Sequence, residues 1–183
     1  MPAKKIISKE MILIEAINII EEEGTLKLNA RNLANRLNCS TQPIYHSFIN
    51  MDDLFNQVKL RIRDDYIIFL NESIKKETNY FFGNLLGMIN YAYLHPKLFE
   101  IIYMRPFLAD ETNLELNENI INGIMKIGYT HEDATNFFYQ SWIFAYGIAV
   151  QIVTGYLKWN KEDIVNILNL QFEALKKYYR KDK

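Results

Sequence analysis

Cysteine is all but absent from this chain of 183 residues: Cys39 stands alone. No intramolecular disulfide can form, which suits a reducing cytoplasm. Three dispersed histidines add no metal-ligand spacing, so no metal is expected. There is no glycine-rich phosphate loop and no Gly-Xaa-Ser-Xaa-Gly elbow, and no other catalytic constellation stands in for them. Neither an enzyme nor a cofactor is expected. No segment qualifies as membrane-spanning, since the nearest one, FFYQSWIFAYGIAVQIVTGYL, is punctuated by Gln140, Ser141, Gln151 and Thr154. The basic start, MPAKKIISKEM, leads into an amphipathic helix and not into an apolar signal-peptide core, so a cytoplasmic location is expected. Net charge is also missing. At −1 the chain carries no global attraction for nucleic acid, and any such binding must rest on a local patch. Met1–Arg63 holds nine Lys/Arg against seven Asp/Glu, a local excess of the right sign but small.

Proline (four) and glycine (seven) are few, and no stretch alternates with period two for long; apolar residues recur at helical spacing instead. An all-α fold of about nine helices follows. The 49% hydrophobic content, with 14% aromatics, gives these helices apolar surface to bury. Ser8 can cap a first helix whose inner face carries Met11, Ile14, Ala16, Ile17 and Ile20, with Gly24 ending it. Glu21, Glu22 and Glu23, near that helix C-terminus, read as a solvated and slightly unfavourable run. Asn29 caps a short second helix through Leu33, Ala34 and Leu37. Asn38 suits a left-handed C-terminal position, and Ser40 can cap a third helix with Pro43 in its first turn. Asn50 with Asp53 resembles a capping box for a long fourth helix, about 51–73.

KKETN, Lys75–Asn79, is the expected domain joint. Beyond it come a helix to about Leu94, a break at His95-Pro96 and a short helix to Tyr103. An irregular link near Pro106–Asp110 and a helix over 113–127 follow. Thr130 with Asp133, and Asn160 with Asp163, open helices of about 25 and 18 residues. His95 reads as a helix-junction residue and not as a ligand. The division is then 1–55 as a three-helix head and 75–183 as a helical body.

Within the head, Asn29–Leu54 has the spacing of helix, short turn, helix. In a helix-turn-helix the second helix enters the major groove while the first crosses the backbone. Leu33, Ala34, Leu37 and Ile44 suit the contact between the two helices, with Phe48 in the core. The residues facing out can reach phosphates (Arg, Tyr) or base edges (Gln, Thr). The expected DNA-contacting set is Asn29, Arg31, Arg36, Thr41, Gln42, Tyr45, His46 and Asn50. Any two short amphipathic helices around an Asn turn share this periodicity, so spacing alone also admits a plain helical appendage with Tyr45 in the core. Cys39, in the turn, reads as a half-buried small hydrophobe before a redox sensor.

STQPIYHSFINMDDL resembles the turn, recognition helix and start of helix four in the tetracycline-repressor (TetR) family of transcriptional regulators. That family's pattern has a helix-two segment with an Ile-Ala-like pair, a turn with Gly, then Ser, a Leu/Ile-Tyr pair, Phe and Lys-Glu-Glu-Leu. Leu33-Ala34, Ser40, Ile44-Tyr45, Phe48 and Asp52-Asp53-Leu54 match it, and the likeness covers about Ser8–Val58. Asn38 replaces the usual Gly and Asn29 the usual capping Thr. Met51 replaces a Lys that meets a phosphate, so one anchor is missing unless Lys4, Lys5 or Lys9 supplies it from an N-terminal arm. In the body, YAYLHPKLFEIIY and SWIFAYGIA are similar to a TetR C-terminal subclass with a His-Pro break and a Trp-Xaa4-Gly segment; Tyr146 stands where His usually precedes that Gly.

The resemblance implies a regulator that binds double-stranded DNA as a homodimer on a palindromic operator, most often as a repressor. Its body would enclose an apolar or aromatic small-molecule effector. Phe82, Met88, Tyr91, Tyr103, Met104, Phe107, Trp142 and Tyr146 are the candidate lining, though aromatic and Met stripes of this kind also make ordinary core. The segment 131–157 is apolar almost all round and must be covered on every side. One face on its own body and another on a partner, completed by 161–178, would cover it, with Gly147, Ala149 and Gly155 allowing close approach. The alternative is an all-helical small-molecule carrier or membrane-surface protein without sequence-specific DNA binding.

Overall fold

The computed structural model describes residues 6–77, 79–104, 111–156 and 158–179. Among them no strand occurs. The helices are α1 (Lys9–Glu23), α2 (Ala30–Leu37), α3 (Gln42–Ser47), α4 (Met51–Lys75), α5 (Tyr80–Leu94), α6 (Pro96–Tyr103), α7 (Glu111–Met125), α8 (His131–Val153) and α9 (Lys161–Tyr179). The all-α expectation holds. Two compact units result: Met1–Ile67 with Lys97–Arg105, and Ile68–Pro96 with Pro106–Lys183.

The first unit is built around α1. Ile12, Ala16, Ile19 and Ile20 are its buried residues, whereas Ile14 is 46% exposed. The inner face is therefore rotated from the one expected. Positions 12, 16 and 19–20 lie one above another at helical spacing, and Ile14 falls outside that stripe. The rest of this core comes from Leu33, Ala34 and Leu37 of α2, Ile44 of α3 with Phe48 just beyond it, and Leu54, Val58, Ile62 and Tyr66 of α4. Phe99 of α6 is fully buried, and Tyr66 and Tyr103 share a hydroxyl–hydroxyl hydrogen bond of 2.8 Å.

The second unit centres on α5, which is buried on nearly every side. It packs against α8, and α7 and α9 also lie on α8. Two α5 glycines permit close approach to the end of α4. A Cβ at Gly83 would lie 3.0 Å from the Ile74 Cα, and one at Gly87 would lie 2.9 Å from the Ser73 Cβ. Gly147 and Gly155, expected to let helices approach closely at a covered face, make no such approach within the described residues of the chain itself. A Cβ at Gly147 would meet nothing within 4 Å, and Gly155, at φ 71°, follows the end of α8. That helix accordingly stops at Val153, short of the 157 expected. Phe81, Phe137 and Phe172 form a mutual cluster with ring centroids 5.1–5.8 Å apart. Such aromatic pairs add specific edge-to-face attraction to the area they bury.

The expected caps are in place. Thr130 Oγ1 accepts the Asp133 N–H at 3.1 Å, Asn160 Oδ1 accepts the Asp163 N–H at 2.9 Å, and His95 closes α5. Ser40 is the exception. α3 begins at Gln42 with Thr41 at the N-cap position, and no side chain caps it. Among the described residues no helix is long and apolar enough to cross a membrane.

Candidate nucleic-acid interface

Local hydrogen bonds hold the two helices of the interface. Asn29 Oδ1 accepts the Asn32 N–H at 2.9 Å and starts α2. Asn38 ends it at φ 53°, ψ 52°, the left-handed region in which Asn is tolerated, and its N–H returns to the last turn. Four residues later, at Gln42, α3 begins. At the far side Asn50 Oδ1 accepts the Asp53 N–H at 2.8 Å, while the Asp53 carboxylate accepts from the Ile49 N–H at 2.9 Å and from Gln57 at 2.8 Å. This is a reciprocal cap of the capping-box kind, shifted by one residue on its return bond. These bonds hold the Asp53 carboxyl below its ordinary pKa, Gln57 first and the Ile49 N–H second.

With α3 so bracketed, its faces separate by chemistry. Ile44 is 1% exposed and anchors the helix, and Phe48 is buried just after it. Gln42, Tyr45 and His46, at helical spacing on another face, are exposed, as is Thr41 before them. Tyr45 is 55% exposed and not a core aromatic. Asn29, Arg31, Arg36 and Asn50 are exposed as well, so all eight expected contact residues lie on the surface of the first unit. Cys39 is half-buried.

Their electrostatic roles differ. Arg31 makes no ion pair among the described residues. Arg36 instead reaches back to α1, 2.6 Å from Glu15, 2.6 Å from Glu22 and 3.4 Å from Glu23. The Glu22 hydrogen bond raises the Arg36 pKa, and Arg36 in turn lowers that of Glu22. The glutamate run is solvated as expected, yet two of its three members, Glu22 and Glu23, also pair with Arg36 of α2. A basic residue thirteen or more positions after an acidic run leaves no periodic trace, which is why the sequence did not reveal the pairing. Lys9 is the first residue of α1, not part of an arm, and its ammonium sits 5.2 Å from the Phe48 ring centroid. Lys4 and Lys5 lie outside the described residues.

The candidate small-molecule residues are distributed over both units. Tyr103 and Met104 belong to the first. In the second, Met88 and Tyr91 are buried core, with Tyr91 packed at 5.2 Å on Phe69 and 5.0 Å on His95. Trp142 and Tyr146 are stacked in parallel at 5.3 Å. Phe82 borders a groove with Glu77, Lys161 and Glu173. Phe107 lies outside the described residues.

Three solved structures share this fold. A variant of TetR from Acinetobacter baumannii AYE, crystallised with minocycline, aligns over 96% of this chain and 100% of its own at a TM-score of 0.64 and 15% identity. A transcriptional regulator from Rhodococcus sp. RHA1 aligns over 97% of this chain and 100% of its own, at 0.68 and 15%. A TetR-like transcriptional regulator from the same organism aligns over 94% and 99%, at 0.66 and 13%. No protein-family model matches the chain, and no curated protein matches it. The fold is that of the TetR-like transcriptional regulators, over nearly the whole chain.

Proposed function

We propose that the chain is a DNA-binding transcriptional regulator acting as a homodimer. The observation that carries this reading is α3: a short helix anchored by Ile44, bracketed by the Asn38 turn and the Asn50–Asp53 cap, and turning Gln42, Tyr45 and His46 outward. In this reading residues 1–55 are the DNA-binding domain. Gln42 and Thr41 read base edges, while Arg31 and Tyr45 hold phosphates. Asn29 and Asn50 act chiefly by fixing the helices, and Arg36 by bracing α2 on α1.

Residues 75–183 serve dimerisation and effector binding. α8 and α9 support the first role, because Tyr139, Ile143 and Leu170 are exposed at 45%, 60% and 72% although they sit on helices with well-buried opposite faces. Two such pairs related by a two-fold axis would cover them and place two α3 helices on a palindromic operator, about 34–36 Å apart. Effector binding would lower DNA affinity only as far as it favours a state with the heads misplaced, which makes the protein a ligand-responsive repressor.

Gel shift and footprinting on the intergenic DNA flanking the gene test this. A protected pseudo-palindrome, with affinity falling steeply as salt rises, is the expected result. Equal affinity for unrelated DNA, or a flat salt response, would favour the small-molecule carrier instead.

A further inference from the structure

One glycine of α7 is required neither by backbone geometry nor by packing. Gly123 has no positive φ, the chain turns after the helix at Gly128 (φ 104°), and a Cβ at position 123 would meet nothing within 4 Å. Glycine inside a helix is unfavourable relative to alanine, so the residue weakens α7 without relieving any contact. What it does is leave space. Gly123 lines a cleft of about 380 Å³ bounded by α5, α7, α8 and α9. Phe81, Phe137 and Phe172, each at least 94% buried, line it too.

The lining chemistry is selective. Among the described residues no Lys, Arg, His, Asp or Glu lines this cleft, whereas the neighbouring groove carries Lys161, Glu77 and Glu173. A charged guest would lose hydration here and gain no counter-charge. Asn119 supplies an amide that can donate and accept, and Asn79, whose oxygen already accepts the Phe82 N–H at 3.0 Å, supplies an amide NH2 that can donate. The volume falls in the range of small-molecule sites, at its lower end. We propose that this cleft is a binding site for a neutral, flat aromatic molecule of about two fused rings with one hydroxyl or amide at its edge. It shares no residue with the candidate effector set of Phe82 to Tyr146, and it stands whether or not the chain binds DNA.

Calorimetric titration of the full chain with 2-naphthol is the test. Saturable binding of one molecule per chain is expected. Gly123→Leu, which fills the cleft from a helical position, is expected to weaken it by about tenfold or more, with helix content kept. Asn122→Leu, on an exposed neighbouring position of α7, is expected to leave it unchanged. 2-Naphthoate, the charged analogue, is expected to bind about tenfold more weakly than 2-naphthol. Should Gly123→Leu fail to fold, Ile127→Trp crowds the same cleft from a side chain that is 69% exposed. No saturable binding by the wild type would overturn the site. So would undiminished binding by the cleft-filling variant, or equal binding of the naphthoate.

Discussion

The two units of this molecule place their side chains by different physics. In the first, the bonds that frame α2 and α3 are short in sequence: Asn29 to Asn32, Asn50 to Asp53, and the left-handed turn at Asn38. Each fixes a helix end within a few residues, so that a surface such as that of α3 is defined locally. In the second, the decisive contacts join distant helices, as with Phe81 on α5, Phe137 on α8 and Phe172 on α9. That unit also buries polar atoms with no partner among the described residues, the Asn84 amide nitrogen and the Ser141 hydroxyl.

Removing the centre of the aromatic cluster tests the second half of that contrast most severely. Phe137→Ala is expected to cost about 3–5 kcal/mol, read by urea denaturation. A loss below about 1 kcal/mol would mean that the cluster does not hold the second unit together. Tyr45→Ala should do the opposite. Because this ring is 55% exposed, stability should stay within about 0.5 kcal/mol of wild type. Operator affinity, by fluorescence anisotropy, should fall about tenfold or more. In that outcome Phe137 would support the fold and Tyr45 would hold DNA. Unchanged operator affinity would remove α3 from the interface.

The same contrast explains what could be read in the sequence. Caps and the Asn38 turn are encoded by residues three or four apart, and the structure bears out nearly all of them. Ser40 is the miss: the helix start lies one position on, with Thr41 at the N-cap position. Helix existence was legible from period, and the α1 face was misjudged because α1 is isoleucine-rich on several sides and period alone could not choose among them. Contacts between distant segments left no such trace. Nothing near Arg36 announces Glu15 and Glu22, and nothing near Gly83 announces the Ile74 backbone. The eight expected DNA-facing residues are all exposed, since polar residues beside a short apolar stripe have few other places to go. The cleft lined by Gly123 was invisible, because four helices build it.

A smaller effect sharpens the local side of the comparison. Asn38 is the only non-glycine residue with positive φ among the described residues. Asn38→Ala introduces a Cβ without the polar group that eases this conformation and should cost about 1 kcal/mol in thermal unfolding. Asn38→Gly should change stability by only a few tenths of a kcal/mol, since glycine gains the turn but adds freedom to the unfolded chain. If the alanine and glycine variants are equally stable, the turn is set by its surroundings and not by the residue in it.

The smallest expected effect is electrostatic. The Asp53 carboxyl sits below its ordinary value of 3.8, chiefly through Gln57 and then through the Ile49 N–H. In the unfolded chain those partners are gone and the ordinary value returns. A carboxyl whose folded pKa is depressed contributes stability that is fully present above the unfolded pKa and is lost as pH falls through the folded one. Melting temperature should therefore decline below about pH 4, more steeply for wild type than for Asp53→Asn, whose amide cannot titrate. The group is exposed, so water screens it and the difference in slope should be small. The variant should also be slightly less stable near neutral pH, because an amide is a weaker acceptor for the Ile49 N–H. Parallel acid profiles would show that this cap works by geometry alone, and the local frame around α3 would then owe nothing to charge at its C-terminal side.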